Sequence, residues 1–446
     1  MKILTAEEQT VPKTGRRPKK GRIRLKRLLF LLLALVLLVG LGALVSFLGN
    51  RSNLKKLTRF APIDYGEDRL LPETDDFGNV SFTADRPLKI VQLTDVHIGG
   101  GWMALKKDAM ALNCVAAMLT AEKPDLVIVT GDIAYPIPFQ SGTLNNRPAA
   151  ELFASLMERL GVYWTLTFGN HDTESYSYYT REEIGALYES KAFPHCLFRA
   201  GNTDADGVGN QIVSVRNGKG QYTQLLYLFD SHDYRRDRAL GWLLWKYDNI
   251  HENQIVWYEQ TLAAYQQAYR EKGGGDVLRS LAFFHIPLTE YRDAWFEFLD
   301  NGCRNTGNVR YVYGAASDSK KVVYCGVGED RLFETAASLG STQGFFCGHD
   351  HYNSFSVVYK GIRLTYGKSV DYLAMPGIAG VGAQRGCTVI AVDPDGTFTC
   401  RSESYYQDKY RSVDQKEDVS MQYDPAVFDR PGDPEDRTFQ KPKAYQ

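Results

Sequence analysis

The chain has 446 residues, 44 % of them hydrophobic and 24 % charged, with a formal net charge of −1. That length holds one large domain with extensions, or two domains; the composition is that of a globular protein, and the near-neutral balance offers no electrostatic footprint for nucleic acid. Seven cysteines without a Cys-x-x-Cys pair exclude a zinc ribbon and leave no evident disulfide framework. Cys114 and Cys347 lie in apolar patterns and read as core, whereas Cys303 and Cys325 flank a polar insert and are either free or, in an oxidising compartment, paired.

Residues 1–27 form a basic tail that carries Lys13, Arg16, Arg17, Lys19, Lys20, Arg22, Arg24, Lys26 and Arg27. The run Leu28 to Leu48 has no charge, and at about 1.5 Å per residue it reaches roughly 32 Å, the depth of a bilayer core. Fewer cations follow it, mixed with Asp64, Glu67 and Asp68. The positive-inside bias therefore puts the N-terminus in the cytoplasm and everything after Leu48 outside. A cleaved signal peptide has a shorter apolar region, about 7–15 residues, and a small-residue cleavage site. The run reads instead as an uncleaved signal anchor, which makes this a single-pass protein of the cell membrane. Residues 49–86 are polar, contain Pro62 and Pro72 and show no sustained period, so a stalk is expected.

From Pro87 apolar strands alternate with helices. Leu88–Leu93 is an expected strand, Leu105, Ala109, Leu112, Ala116 and Leu119 repeat at helical spacing, and Asp125–Val129 is a second strand. A helix is expected around Arg147–Leu160 and a third strand over Val162–Phe168. Such alternation implies parallel pairing in a covered sheet. Further on, Gln224–Asp230 and Leu278–Phe284 read as strands, with a helix carrying Ile255, Tyr258, Leu262, Tyr265 and Tyr269 between them. Residues 301–325 read as a polar insert, Leu332–Leu339 as a short helix, and Phe345–Cys347 as a buried strand. Short alternating strands are expected at Phe355–Tyr359, Ile362–Tyr366, Thr388–Val392 and Thr397–Arg401, able to build a second sheet. The folded domain is placed at 87–402, with a polar tail over 403–446.

Five strand ends carry metal-type ligands: Asp95-x-His97, Gly131-Asp132, Gly169-Asn170-His171-Asp172, His285 and Gly348-His349-x-His351. Five of the eight histidines fall in these motifs. Ligands at the carboxyl ends of parallel strands converge on one crevice. The set contains no thiolate and mixes carboxylate, imidazole and amide oxygen, which suits Mn, Fe or Zn. It is too large for one ion; two ions bridged by a carboxylate would use it all and would bind both oxygens of a phosphoryl group.

These motifs, in this order, resemble the calcineurin-like metallophosphoesterase superfamily over about Leu88 to Asp393. Gly207–Asn210, Leu228–Ser231, Gln254–Tyr258, Phe284–Leu288 and Arg385–Cys387 are similar to its purple-acid-phosphatase-like branch. The resemblance implies an α/β fold, a four-layer α-β-β-α sandwich. It implies that Asp95, His97 and His351 hold one divalent ion, that Asn170, His285 and His349 hold a second, and that Asp132 bridges them. It also implies a metal-bridging hydroxide as nucleophile and His171 as general acid; Asp172, by adjacency, is expected to orient His171. The activity implied is that of a phosphomonoesterase. The alternatives are a phosphodiesterase or nuclease, a lipid-linked pyrophosphate hydrolase, and a binding scaffold without catalysis. One departure stands out: purple acid phosphatases use a tyrosine in Gly-Asp-x-x-Tyr and lack the His of Asp-x-His, while this chain has both Tyr135 and His97. Tyr135 is therefore read as a pocket residue. His232 and Arg385 join it as candidates to meet the substrate, and His195 and His251 read as structural and surface residues.

Overall fold

The computed structural model describes residues 20–201, 204–235, 246–316, 323–328, 330–375, 378, 385–405 and 409–410. In chain order its elements are α1 (Lys20–Lys56), β1 (Glu73–Thr74), β2 (Val80–Thr83), β3 (Leu88–Leu93), α2 (Leu105–Glu122), β4 (Leu126–Thr130), α3 (Pro138–Ser141), α4 (Arg147–Leu160), β5 (Trp164–Thr167) and α5 (Arg181–Tyr188). They continue with β6 (Gln211–Arg216), β7 (Tyr222–Leu228), α6 (Glu252–Glu271), β8 (Arg279–Phe283), α7 (Thr289–Asp300), β9 (Val309–Tyr313), α8 (Leu332–Leu339), β10 (Thr342–Cys347), β11 (Ser356–Tyr359), β12 (Ile362–Tyr366), β13 (Gly386–Val392) and β14 (Phe398–Ser404).

The strands form a five-stranded sheet, β14-β13-β3-β4-β5, and a nine-stranded sheet, β1-β2-β6-β7-β8-β10-β12-β11-β9. The centre of each is parallel: β3, β4 and β5 in one, β7, β8, β10 and β12 in the other. Side chains alternate across a strand, and here both faces are buried, so the central strands read as unbroken apolar runs. Leu88, Ile90, Leu126 and Ile128 point into the space between the sheets, where they meet Val213, Leu226, Leu281, Phe283 and Phe346. Their neighbours Val91, Leu93, Val127 and Val129 point the other way, onto Leu112, Val115 and Leu119 of α2 and Phe153 and Leu156 of α4. On the far side, Ala282, Phe345 and Cys347 pack with Ile255 and Tyr258 of α6, Tyr291 and Trp295 of α7 and Phe333 of α8. Three buried interfaces between four layers make the expected α-β-β-α sandwich, and each large apolar side chain buried in them contributes about 1.5–3 kcal/mol.

Four expectations need correction. Residues 49–86 are not a stalk. The apolar helix runs on to Lys56, Leu57, Phe60 and Ile63 enter the core beside α4, and Arg159 Nε donates to Phe60 O at 2.6 Å. Further along, buried Asp75 accepts from Ser214 Oγ and Tyr265 Oη at 2.7 and 2.5 Å, and β2 pairs parallel with β6. The 403 boundary also moves: β14 includes Glu403 and Ser404, and buried Tyr410 donates to Glu122 Oε1 at 2.7 Å. The insert 301–325 contains β9, an edge strand paired with β11. Finally, the strands after His351 divide between the sheets: β11 and β12 extend the large one, and β13 and β14 complete the small one. The rest of the tail, residues 411–446, lies outside the described residues. Cys303 and Cys325 are not joined in a disulfide.

Among the described residues, one helix is long and apolar enough to cross a membrane. Its side chains from Leu28 to Leu38 are exposed.

Candidate metal centre

The loops that follow β3, β4, β5, β8 and β10 meet at one edge of the sandwich, and each motif sits on one of them. The backbone there is unusual. Eight non-glycine residues have positive φ among those described, and four of them are Asp95 (49°), His97 (53°), Asp132 (57°) and His349 (77°). Left-handed conformations in side-chain-bearing residues cost free energy and persist where the surroundings impose them, commonly at functional sites. Two glycines permit the convergence. Gly131 has φ +85°, and a Cβ there would lie 2.5 Å from His285 Nδ1. Gly348 is not among the positive-φ glycines; what it provides is close approach, since a Cβ would overlap Thr94 Oγ1 and lie 2.9 Å from Asp95 Oδ2.

Ligand-type atoms of Asp95, His97, Asp132 and His351 all lie within 4.8 Å of one another. A second group adjoins it: His285 Nε2 is 3.2 Å from Asn170 Oδ1 and 3.2 Å from His349 Nδ1. Asp132 Oδ2 stands 3.2 Å from His97 Nε2 and 3.2 Å from His285 Nε2, so one carboxylate oxygen faces both groups. Asp132 Oδ1 is occupied, accepting from His171 N at 2.8 Å. The oxygens of Asp95 are likewise divided. Oδ2 accepts from Thr94 Oγ1 and His349 N at 2.7 and 3.1 Å. Oδ1 is buried without a hydrogen-bond partner, 3.4 Å from His351 Nε2. A buried orphan acceptor aimed at imidazole nitrogens is costly unless a cation sits there, so this donor set fits a metal.

The remaining contacts orient these candidate ligands. Asp371 lies behind two imidazoles at once, with Oδ1 3.6 Å from His97 Nδ1 and Oδ2 3.1 Å from His351 Nδ1. That places both Nε2 atoms forward. His285 Nδ1 donates to Thr130 O at 2.7 Å, which frees its Nε2, and Asn170 Nδ2 donates to Tyr234 Oη at 3.2 Å, which turns its Oδ1 inward. Carboxylates and carbonyls behind ligating histidines set tautomer and basicity.

Electrostatics couple the two groups. Burial raises the Asp132 carboxyl pKa, but the imidazoles of His285, His171 and His97 outweigh it and hold it well below the usual carboxylate range. Burial lowers His285, yet Asp132 carries it up to about 9. His349 is pushed well down by burial and by its neighbour His285. Divalent ions take the place of the protons for which such buried groups compete.

His171 Nδ1 lies 2.7 Å from Glu174 Oε1. Burial lowers its pKa, but Asp132 and Glu174 reverse this and raise it overall. Asp172, expected to orient His171, points elsewhere: its carboxylate accepts from the backbone N–H of Asp132, Ala134 and Gly169 at 2.9, 2.8 and 2.8 Å. It ties the β4 and β5 loops together, and the partner of His171 is Glu174. Tyr135 stacks on His97 with ring centroids 4.6 Å apart and spends its hydroxyl on Gln140 at 2.6 Å. Its ring walls a mouth of about 300 Å³, shared with Tyr234, Tyr247, Tyr324, Tyr352, His171, His349 and His351. Arg385 does not point into this mouth. It is buried, donates to Asp371 O at 2.8 Å and lies over Tyr372. His232 hydrogen-bonds Gln254 at 3.0 Å and stacks on His251 in a separate cavity of about 750 Å³ beside Arg181 and Asp230.

A family model described as Calcineurin-like phosphoesterase matches residues 88–353, a stretch that begins with β3 and ends just beyond His351. The chain belongs to the calcineurin-like phosphoesterase family. An Arabidopsis thaliana relative, named Probable inactive purple acid phosphatase 29, is 28 % identical over 346 residues, covering 72 % of this chain and 81 % of its own. Phosphatase DCR2 of Saccharomyces cerevisiae is 30 % identical over 312 residues, covering 66 % of this chain and 47 % of its own. A dimetal phosphatase from Danio rerio aligns structurally at 13 % identity with a TM-score of 0.46, over 72 % of this chain and 98 % of that one. Two residues of the candidate site in this member of the family escaped the motif reading. Glu174 stands three residues beyond His171, but adjacency favours Asp172, and only the turn decides between the two carboxylates. Asp371 follows the last motif by 20 residues (371 − 351) in a stretch without periodicity, and no local signal marks it.

Proposed function

We propose that this chain is a metal-dependent phosphohydrolase acting on phosphate monoesters, held in the cell membrane by Leu28–Leu48 with its N-terminus cytoplasmic and its catalytic domain outside. The observation that carries the reading is Asp132 Oδ2, equidistant at 3.2 Å from an imidazole of each ligand group. Asp95, His97 and His351 would hold one ion and Asn170, His285 and His349 the other, with Asp132 common to both. When bound, a divalent pair supplies Lewis acidity to a phosphoryl oxygen and lowers the pKa of a water; the oxygen- and nitrogen-rich donor set suits Mn, Fe or Zn.

The protein supplies position and a proton. Glu174 engages His171 Nδ1, which leaves Nε2 to protonate the departing oxygen, and Asp132 and Glu174 raise the pKa of His171 against its burial, which favours the protonated, donating form. The mouth of about 300 Å³ accommodates a phosphate and the first atoms of its alcohol. Its lining contains no Lys or Arg among the described residues, so a nucleic-acid backbone finds no basic track there; this supports monoesters over a nuclease.

The test uses full-length protein loaded with Mn, Fe or Zn, assayed on para-nitrophenyl phosphate and on its bis-ester, with bound metal counted. Asp132→Asn should lower the metal content and abolish turnover. Glu174→Gln should lower kcat by about 10–100-fold and move the basic limb of the pH–rate profile to lower pH, because a raising influence on His171 is removed. Wild-type turnover in both Asp132→Asn and His171→Ala would show the chemistry to lie elsewhere, and a wild-type protein that binds metal but hydrolyses neither ester would favour the binding scaffold.

A further inference from the structure

The catalytic loops and the apolar helix are joined more closely than a tether requires. Buried Asn50 and Asn53, on α1, donate to Gly100 O and Leu105 O at 2.6 and 2.9 Å. Leu105 fills the space over Gly49. Higher on the same helix, a Cβ at Gly42 would sit 3.2 Å from Trp102 Nε1. Trp102 is thus beside the apolar run itself, six residues before its end at Leu48, a depth of roughly 9 Å.

That placement constrains where a bilayer can lie. If the membrane stopped short of Trp102, the run Leu28 to Leu41 would reach only roughly 21 Å, against a hydrocarbon core of ~30 Å. A full span needs the helix up to Leu48, which sets the loop around Trp102 into the headgroup–acyl boundary, roughly 9 Å below the end of the apolar run. The side chains exposed there suit that level. Trp102 is 49 % exposed, Met103 46 % and Phe139, on α3, 89 %. Tryptophan at the interface and apolar side chains just below it are what a membrane contact presents. Exposed Arg51 and Lys55 follow on α1, placed for anionic headgroups. A cavity of about 760 Å³ opens between the helix and these loops, lined by Val39, Phe47, Trp102, Met103 and Pro138.

The same loops form the wall of the metal centre. The segment carrying Trp102 begins directly after His97, and α3 begins three residues after Tyr135. Gln140 of α3 accepts from Tyr135 Oη and donates to Ala374 O, the neighbour of Met375, which is 42 % exposed on the rim of the mouth.

We propose that Trp102, Met103 and Phe139 seat the metal-bearing edge of the domain on the bilayer, and that the substrate is a phosphate monoester carried by a membrane lipid. The substrate half rests on the phosphohydrolase reading above; the seat does not. The lipid's phosphate enters the mouth while its acyl chains stay in the bilayer. Water adds its oxygen to phosphorus, the P–O bond to the lipid breaks, and the lipid oxygen takes the proton, leaving a neutral lipid alcohol and inorganic phosphate.

The test uses the full-length, metal-loaded protein in phosphatidylcholine vesicles carrying dioleoyl phosphatidate, with soluble para-nitrophenyl phosphate as the second probe. Trp102→Ser and Phe139→Ser should leave the soluble reaction within about twofold and lower the vesicle reaction about tenfold or more. Phe139, exposed as it is, changes without disturbing the fold. Brominated phosphatidylcholine should quench wild-type fluorescence more than that of Trp102→Phe. Equal vesicle turnover by wild type and both Ser variants, or no difference in quenching, would overturn the seat. Hydrolysis of the aryl phosphate but not of phosphatidate by the wild type would overturn the lipid substrate alone. Quenching with no hydrolysis of either probe would count against the phosphohydrolase reading and leave the seat standing.

Discussion

Asp371 shows how much of the centre depends on a residue that touches no ion site itself. Its two oxygens stand behind His97 and His351, and its backbone-facing contacts with the N–H groups of Leu373, Ala374 and Met375, at 2.7, 2.8 and 2.6 Å, keep it from swinging away. Burial opposes its charge, but His97 and His351 hold its carboxyl well below the usual range. Asp371→Asn keeps the shape and removes the charge. It should weaken metal binding or turnover by about 10–100-fold, read by competition with a chelator, while Asp172→Asn, whose partners are backbone amides of two loops, should show mainly as a loss of thermal stability. The motif residues were legible because each follows an apolar strand, where chemistry-bearing side chains gather at one edge. Asp371, Glu174 and the true contacts of Arg385 were not, because they follow from loop paths rather than from spacing.

Elements with strong periods were also legible: β3, β4, α2, α4 and α6 stand where the pattern put them. Missed were β1, β2, β6, β9, α3, α5 and α7. β9 is short and half-exposed at a sheet edge, where alternation in Val-Arg-Tyr-Val-Tyr competes with polar flanks. The start of α6 shows what joins such pieces. His251 precedes the helix and accepts no passive surface role: Nδ1 is 2.7 Å from Asp206 Oδ2 and Nε2 3.3 Å from Asp248 Oδ2, so it clips the segment before β6 to the helix. Both nitrogens can donate only in the imidazolium, and the hydrogen bond with Asp248, then Asp206, raises the pKa to about 9 against partial burial. The folded pKa lies above the ordinary value of about 6.5. The stability this ion contributes is therefore complete below pH 6.5 and is lost as pH rises through 9. In metal-loaded protein, Tm should fall over that window, and His251→Asn should have a lower Tm at pH 6 and a flatter profile.

The whole molecule places a two-part centre across two sheets. Asp95, His97, Asp132 and Asn170 hang from the five-stranded sheet; His285, His349 and His351 hang from the nine-stranded one. The core between the sheets sets the distance between the groups. Phe346 lies at its middle, fully buried, stacked on Phe283 at 5.0 Å and edge-on to Phe398 at 6.1 Å. Phe346→Ala should cost about 3–5 kcal/mol, read by denaturant unfolding. It should also weaken metal retention, although Phe346 touches no ligand, because the registration of the sheets is loosened.

By itself, the sequence determined the order of the motifs, the apolar helix, the buried strands and the donor chemistry, since ligand type and hydrophobic period are local properties. Tertiary structure alone decided that residues 49–86 belong to the folded domain, that Glu174 rather than Asp172 meets His171, that Asp371 stands behind the imidazoles of His97 and His351, and that Trp102 stands beside the apolar helix. These depend on segments far apart in the chain being brought within a few ångströms, which no spacing records.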